Sequence, residues 1–352
     1  MLLITFNFFS CKNEIENKKT KPTSTIEASI KNPKGMVWVE SKVFLQGVKE
    51  GDKFAMHREI PAHDVKTDGF YIDETEVTNS QFKKFINATG YITIAERIIN
   101  WENMKKKLPP NIPKPHDSLL QPGSLVFNKD LNAIANMANY GQWWTWKIGA
   151  NWRHPEGPNS TIKEKNNFPV VHIALEDALA YCKWANRRLP TEAEWEAAAQ
   201  GSNKNTIYTW GNNPEKLTSN ANTWQGVFPT TNNAKDGYSF IAPVKSYPPN
   251  SIGLYDMIGN VWELTNDLFS PNYYKELDTS NIIINPQGAK KSYSPNNPYQ
   301  EENVMKGGSF LCHASYCASF RISAKMGVAQ DSGSDHMGFR TVVTKEMLDS
   351  KK

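Results

Sequence analysis

Two cysteines, Cys312 and Cys317, stand with four residues between them in the segment Met305-Lys-Gly-Gly-Ser-Phe-Leu-Cys-His-Ala-Ser-Tyr-Cys317. No regular element brings such a pair together. Side chains five positions apart face opposite ways on a strand and sit about 140° apart around a helix. If the sulfurs meet, the backbone between them must turn, on a loop or a strand-end corner. Two thiols held that way make either a disulfide or a soft-metal site, and copper(I) accepts two sulfur ligands most readily. Structural zinc wants four ligands, and the chain has no second Cys/His pair of finger spacing. Taken alone, the spacing favours a disulfide.

The 352 residues can bury a full core without staples, as one large domain or two. A net charge of +4 is too balanced to argue for nucleic acid, and no basic run interleaved with aromatics appears. The unusual entries are 11 Trp, 21 Gly and 21 Pro, which suggest a loop-rich fold ordered by aromatic packing. There is no internal repeat, no Gly-rich phosphate cradle and no membrane span.

At the N-terminus, Met1-Leu-Leu-Ile-Thr-Phe-Asn-Phe-Phe-Ser-Cys11 is a short apolar run, too short to cross a bilayer. It reads as the end of a secretory signal followed by a lipid-acceptor cysteine, as in bacterial lipoproteins, although no Lys or Arg precedes it. The expectation is a protein of a bacterial cell envelope, periplasmic or membrane-anchored through Cys11. Residues 12–34 are Lys/Glu/Thr/Ser/Asn-rich and read as a solvated tether; residues 345–352 read as a polar tail.

Between these ends, residues 36–45 read as an opening strand or strand pair and residues 69–77 as a second strand. Thr78 and Gln81 fit a capping box, Phe82, Phe85 and Ile86 an apolar helix face, and Gly90 its C-terminal stop. Residues 100–149 show no period and carry Pro109, Pro110, Pro113 and Pro115, predicting long irregular structure. Residues 174–186 predict a helix with Leu175, Ala178, Leu179, Cys182 and Ala185 on its apolar face. A second capping box, Thr191 with Glu194, opens another helix. Tyr238 to Val244, Asn303 to Met305 and Met337 to Val343 read as short strands. The class is α+β, with short elements and long loops.

Several segments then resemble one family. Asn151-Trp-Arg-His-Pro-Glu-Gly-Pro158, Phe168-Pro-Val-Val-His172, Arg188-Leu-Pro-Thr-Glu-Ala-Glu-Trp-Glu196, Gly253-Leu-Tyr-Asp-Met-Ile-Gly-Asn-Val-Trp-Glu263, Lys306-Gly-Gly-Ser309 and Gly338-Phe-Arg340 are similar to segments of the formylglycine-generating, or sulfatase-modifying factor, enzymes. The match runs in order from about Met36 to Val343. It implies one domain over residues 35–344, with the low-regularity α+β fold related to C-type lectins. Most of these motifs mark the wider superfamily, so they speak of fold more than activity.

The cysteine pair narrows the reading. Members that carry it oxidise a cysteine of client sulfatases, in a Cys-x-Pro-x-Arg type motif, to Cα-formylglycine with molecular oxygen and copper. The resemblance therefore implies copper(I) on Cys312 and Cys317, and an unfolded sulfatase polypeptide as substrate. It also implies Ser309 and Trp262 lining an oxygen pocket, Tyr316 beside the second ligand, and His313 assisting proton movement. Arg321 and His336 would belong to the peptide cleft, His336 replacing a residue that is often Asn, and Arg321 having a structural ion pair as its alternative. Two calcium ions are implied as well. Asn222, Thr223, Asp236 and Tyr238 match one site, and Asp256, Gly259, Val261 and Glu263 the other, partly through backbone carbonyls. A monomer is expected.

Departures from the family pattern are visible. Cys182 matches a cysteine that some relatives use in a disulfide, but Thr341 stands in its partner's place, and Ile322 with Ala198 occupy a second such bridge. Cys182 should be a buried free thiol. Members without the Cys312/Cys317 pair include non-catalytic lipoproteins, which keeps a binding or structural envelope component as the alternative. An iron-dependent sulfur-transferring oxidase would need a facial His/carboxylate set, and the 7 His are scattered without a His-x3-His pair.

Overall fold

The computed structural model describes residues 32–350; Cys11, the signal-type segment and nearly all of the tether fall outside the described residues. The opening segment is a pair of strands, β1 (Met36–Val39) and β2 (Lys42–Gln46), which join different sheets. β2 pairs antiparallel with β3 (His63–Thr67), and residues Ile283–Ile284 add to β3 in parallel. β1 pairs antiparallel with β4 (Phe70–Asp73). That strand stops at Asp73, short of the expected Val77.

Helix α1 (Asn79–Thr89) begins where the sequence places it. Thr78 and Gln81 satisfy each other's end of the capping box, and Gly90 ends the helix in the left-handed region at φ 66°. Its Phe82, Phe85 and Ile86 are buried in the main core. The expected irregular stretch then holds a hairpin, β5 (Gly123–Phe127) with β6 (Trp144–Ile148), whose long connection gives no short-turn signal.

Helix α2 (Leu175–Ala185) buries Ala178, Tyr181 and Cys182, but Leu179 is 42% exposed, so the apolar face is rotated from the expected one. Helix α3 (Glu192–Gln200) starts at the Thr191/Glu194 capping box and is buried at every position but Glu194. The central sheet has the order β9 (Lys325–Ala329), β8 (Glu302–Lys306), β7 (Trp262–Leu268) and β10 (Met337–Gly338). Residues 238–244 form no strand.

The expected closing strand is split. β10 pairs in parallel with β7, while β11 (Val342–Val343) pairs with β4 at the other end of the chain. A short helix, α4 (Lys345–Asp349), follows within the segment read as a tail. The class is α+β, as expected. Among the described residues no helix is long and apolar enough to cross a membrane.

Candidate active site and cation sites

The cysteine corner begins where β8 ends. Gly307 and Gly308 have φ of 89° and 75°, a region that favours glycine. A Cβ on Gly308 would lie 2.8 Å from the Ser319 carbonyl and 3.2 Å from Cys312 Sγ, so the chain passes tightly against the loop it returns to. The His313 carbonyl accepts hydrogen bonds from the backbone N–H of Tyr316, Cys317 and Ala318 at 3.0, 3.1 and 3.1 Å. This local knot bends the chain back between the two cysteines. Their sulfurs face each other 2.7 Å apart, both thiols are free, and the residues are 1% and 9% exposed.

The two thiols are not equivalent. Burial pushes the Cys312 thiol well up, and its contact with Cys317 adds to the rise. At Cys317 burial also raises the value, but hydrogen bonds from Cys312, Ser319 and His313 outweigh it and bring the thiol below its ordinary value. The metal-free pair therefore holds one negative charge more readily than two.

Arg321 supports this corner from beneath. Its Nε donates to the Ala318 carbonyl at 2.8 Å, and its guanidinium grips Glu59 with two bonds of 2.7 Å and Asp52 with one of 2.5 Å. Arg321 is fully buried and does not line the cavity at the cysteines. The structure thus gives it the ion-pair role that the sequence left as the alternative to the cleft.

Cys312 and Cys317 line a cavity of about 210 Å³ together with Ser309, Trp262, Tyr316 and His336. Ser309 is fully buried; its backbone N–H points at Cys312 Sγ at 3.4 Å and its Oγ accepts from the Leu311 N–H at 3.3 Å. Tyr316 stacks on Phe228, ring centroids 4.5 Å apart, and meets Trp143 edge-on at 5.6 Å. His336 lies against Trp144 and shares a hydrogen bond of 2.7 Å between its Nδ1 and Ser334 Oγ. His313 is not among the lining residues; its Nδ1 pairs with Ser315 Oγ at 2.8 Å. What the sequence reading missed are the aromatic walls Trp143, Trp144 and Phe228. The Trp143-Trp144 doublet inside an aperiodic, proline-bearing stretch was the available signal.

The two implied calcium sets lie back to back, since Asn222 bridges in parallel to Gly259. In the first, Asp236 accepts from the backbone N–H of Thr223 at 2.8 Å and of Tyr238 at 3.2 Å, while burial raises its carboxyl. Asn222 is buried and its Oδ1 has no hydrogen-bond partner. A carboxylate beside an orphaned amide oxygen fits a hard cation.

The second set fits in part. Asp256 is raised to about 6, by burial first. Glu263 is turned away to Arg340, with two bonds of 2.6 Å, and also accepts the Trp195 indole N–H at 2.7 Å. Close enough to Asp256 to feel its charge is Glu76, which the sequence reading did not single out: it is fully buried, its Oε1 accepts from Asn260 Nδ2 at 3.0 Å, and its Oε2 has no hydrogen-bond partner. Val261 is fully buried, and a Cβ on Gly259 would sit 2.3 Å from the Asn222 carbonyl. Among the described residues no group of three or more His, Cys, Asp or Glu side chains converges as a metal site.

Comparison with known proteins places the chain in a family. The profile of the Sulfatase-modifying factor enzyme 1-like domain matches residues 22–345. The formylglycine-generating enzyme of Bos taurus is 39% identical over 309 residues, 88% of this chain and 74% of the relative. The chain belongs to the sulfatase-modifying factor family. The inactive C-alpha-formylglycine-generating enzyme 2 of Mus musculus is 35% identical over 312 residues, 87% of this chain and 84% of the relative. Among solved structures, PvdO from Pseudomonas aeruginosa matches with a TM-score of 0.56 at 21% identity, covering 87% of this chain and 93% of its own, which speaks for the fold alone.

The sulfatase-modifying factor motifs are joined to one another in the core. Trp195 and Arg340, from two of them, both bond Glu263 of a third. Lys306, which opens the Gly-Gly-Ser motif, pairs with Glu196 at 2.8 Å with both side chains fully buried. Removing one member of such a pair leaves an uncompensated buried charge. In this chain the motifs are thus joined through a buried polar lattice.

Proposed function

We propose that this protein oxidises a cysteine of sulfatase polypeptides to Cα-formylglycine with molecular oxygen, using copper(I) held by Cys312 and Cys317. The observation that carries the reading is the pair of free sulfurs facing each other in a cavity walled by tryptophan and tyrosine. Its donor set suits copper(I): two soft thiols, with no third ligating side chain converging on them among the described residues. Bound there, copper(I) supplies the redox chemistry that couples thiol oxidation to oxygen. The protein's own part is to bind and to shield. A cavity of about 210 Å³ admits a cysteine residue, while Trp143, Trp144 and Trp262 keep bulk water from it. Ser309 offers a hydroxyl at the cavity, and the neutral His336 ring offers a hydrogen-bonding edge to a client backbone. Calcium in the Asn222/Asp236 set and at Asp256/Glu76 would cross-link loops that carry few strands. Placement in a bacterial envelope through lipidated Cys11 belongs to the same reading.

The experiment is direct. The purified, reduced, copper(I)-loaded protein is incubated in air with a peptide containing Cys-x-Pro-x-Arg, and the peptide mass is followed. Replacement of the thiol by an aldehyde in the wild type, and not in Cys312→Ser or Cys317→Ser, is the expected result; an unmodified peptide would refute the reading. The inactive relative motivates the second reading, a non-catalytic binding component. Under that reading both serine variants bind sulfatase peptides as the wild type does and none of the three converts them.

A further inference from the structure

A second cavity, of about 280 Å³, lies on the other side of the segments that build the cysteine cavity, and the two share no lining residue. Alternate side chains of the same loops serve the two spaces. Ser309 and Leu311 line the cysteine cavity and Phe310 the other; Ser334 and His336 line the first and Asp335 the second. Nothing in the chemistry proposed above uses this second space.

Its construction is specific. Trp152, Phe168, Phe240 and Phe310 supply aromatic walls, with Phe240 and Phe310 edge-on at 6.0 Å. Two buried polar atoms of lining residues have no hydrogen-bond partner: the donor Trp152 Nε1 and the acceptor Asp335 Oδ1. Their residues are 1% and 5% exposed, and the other Asp335 oxygen is occupied by the Phe127 N–H at 2.9 Å. Buried polar groups are ordinarily hydrogen-bonded, so a partner for each is favoured. At the more open side stand Lys129, Lys165 and Glu156, two cations against one anion. Lys129 Nζ pairs with Glu156 at 2.7 Å and lies 4.1 Å from the centre of the Phe240 ring.

We propose that this cavity binds a small hydroxyaryl carboxylate. A ligand hydroxyl, which both donates and accepts, has the chemistry to partner either Asp335 Oδ1 or Trp152 Nε1. The ring packs among the aromatic walls. The carboxylate faces outward, where Lys129 and Lys165 outweigh Glu156. A ligand seated there abuts Phe310 and Asp335, each covalently next to residues of the cysteine cavity.

The probes are 4-hydroxyphenylacetate, phenylacetate and tyramine, titrated into the full chain by calorimetry and ligand-observed NMR. Phenylacetate lacks the hydroxyl and tyramine reverses the charge. Saturable binding is expected for 4-hydroxyphenylacetate, with at least about tenfold weaker binding for each of the others. Trp152→Phe, which keeps a ring but loses the N–H, should weaken 4-hydroxyphenylacetate about fivefold or more. Ile162→Trp and Ser239→Trp, which fill the cavity from two sides, should abolish binding; near-ultraviolet circular dichroism identifies a variant that fails to fold, and the other then carries the test. A cavity that holds ordered water only would give no saturable signal and would overturn the proposal. So would equal affinity for all three probes, or binding that survives a folded cavity-filling variant.

Discussion

The imidazole of His336 lies tilted on the indole of Trp144, ring centroids 4.8 Å apart at 37°. The contact ties the segment after β9 to the β5–β6 hairpin, and both rings line the cysteine cavity. It also holds the one imidazole of that cavity against an indole wall.

Burial, and next the neighbouring His172, lower the His336 imidazole to about 3. The ring is therefore neutral throughout the physiological range. The expected outcome in NMR is a histidine resonance, absent in His336→Gln, that does not move between pH 5 and 8. The sign for stability follows from the depressed value: the unfolded chain takes up a proton below about 6.5 and the folded one does not, so stability is lost as pH falls from there toward 3. A midpoint near 6.5 for this resonance would contradict the geometry.

Arg321 joins the cysteine corner to residues 52–59, and its loss should be felt as an unpaired buried charge. Arg321→Met leaves Glu59 without its partner and frees the Ala318 carbonyl. Removing one member of a buried pair costs about 3–5 kcal/mol, seen as a lower urea midpoint. Arg321→Lys keeps the charge but not the planar fork, and should fall between the two. A wild-type midpoint in the Met variant would show that the pair is not formed.

Asp256 gives a pH-dependent prediction for the metal-free protein. Burial raises its carboxyl to about 6 in the fold, against about 3.9 in the unfolded chain. The folded state then holds a proton that the unfolded state releases, so stability declines as pH rises across this window. Calcium should reverse the trend, raising the melting temperature more at pH 7 than at pH 5. An equal shift at both values would separate calcium from Asp256.

At Gly259, φ is +81° and a Cβ would sit 2.3 Å from the Asn222 carbonyl. Neither the strain nor the clash can be relieved by a side-chain rotation, because the obstacle is backbone. Gly259→Ala should cost about 2 kcal/mol or more and weaken the calcium binding proposed for the adjacent Asn222 set, both measurable by calcium-dependent thermal melts. Gly237→Ala, where no atom lies within 4 Å of the added carbon but φ is +105°, separates strain from clash.

What could be read from the sequence depended on how local its cause was. The starts of α1 and α3 were legible because Thr78/Gln81 and Thr191/Glu194 complete their bonds within one turn. The cysteine corner was legible because no regular backbone permits the spacing of Cys312 and Cys317. The hairpin β5–β6 was not, since its pairing is fixed across a long connection and braced by Leu125 bridging to Ser334. Arg321 was ambiguous because its carboxylate partners, Asp52 and Glu59, lie far back in the chain. Leu179 was misplaced because Tyr181, stacked on Phe82 and edge-on to Phe339, sets the orientation of α2. Cys182 was legible as a buried free thiol, and burial raises it to about 12.

The split closing segment has a consequence for how this molecule is made. Phe70–Asp73, among the first strands to be synthesised, has one edge on Met36–Val39 and the other on Val342–Val343, almost at the last residue described. Met337–Gly338 meanwhile completes the sheet that presents Trp262. During synthesis the early strand must therefore wait, open-edged, for nearly the entire polypeptide to arrive. Until that late clasp engages, an exposed β edge is available to other chains, which places the hazard of aggregation before the fold closes.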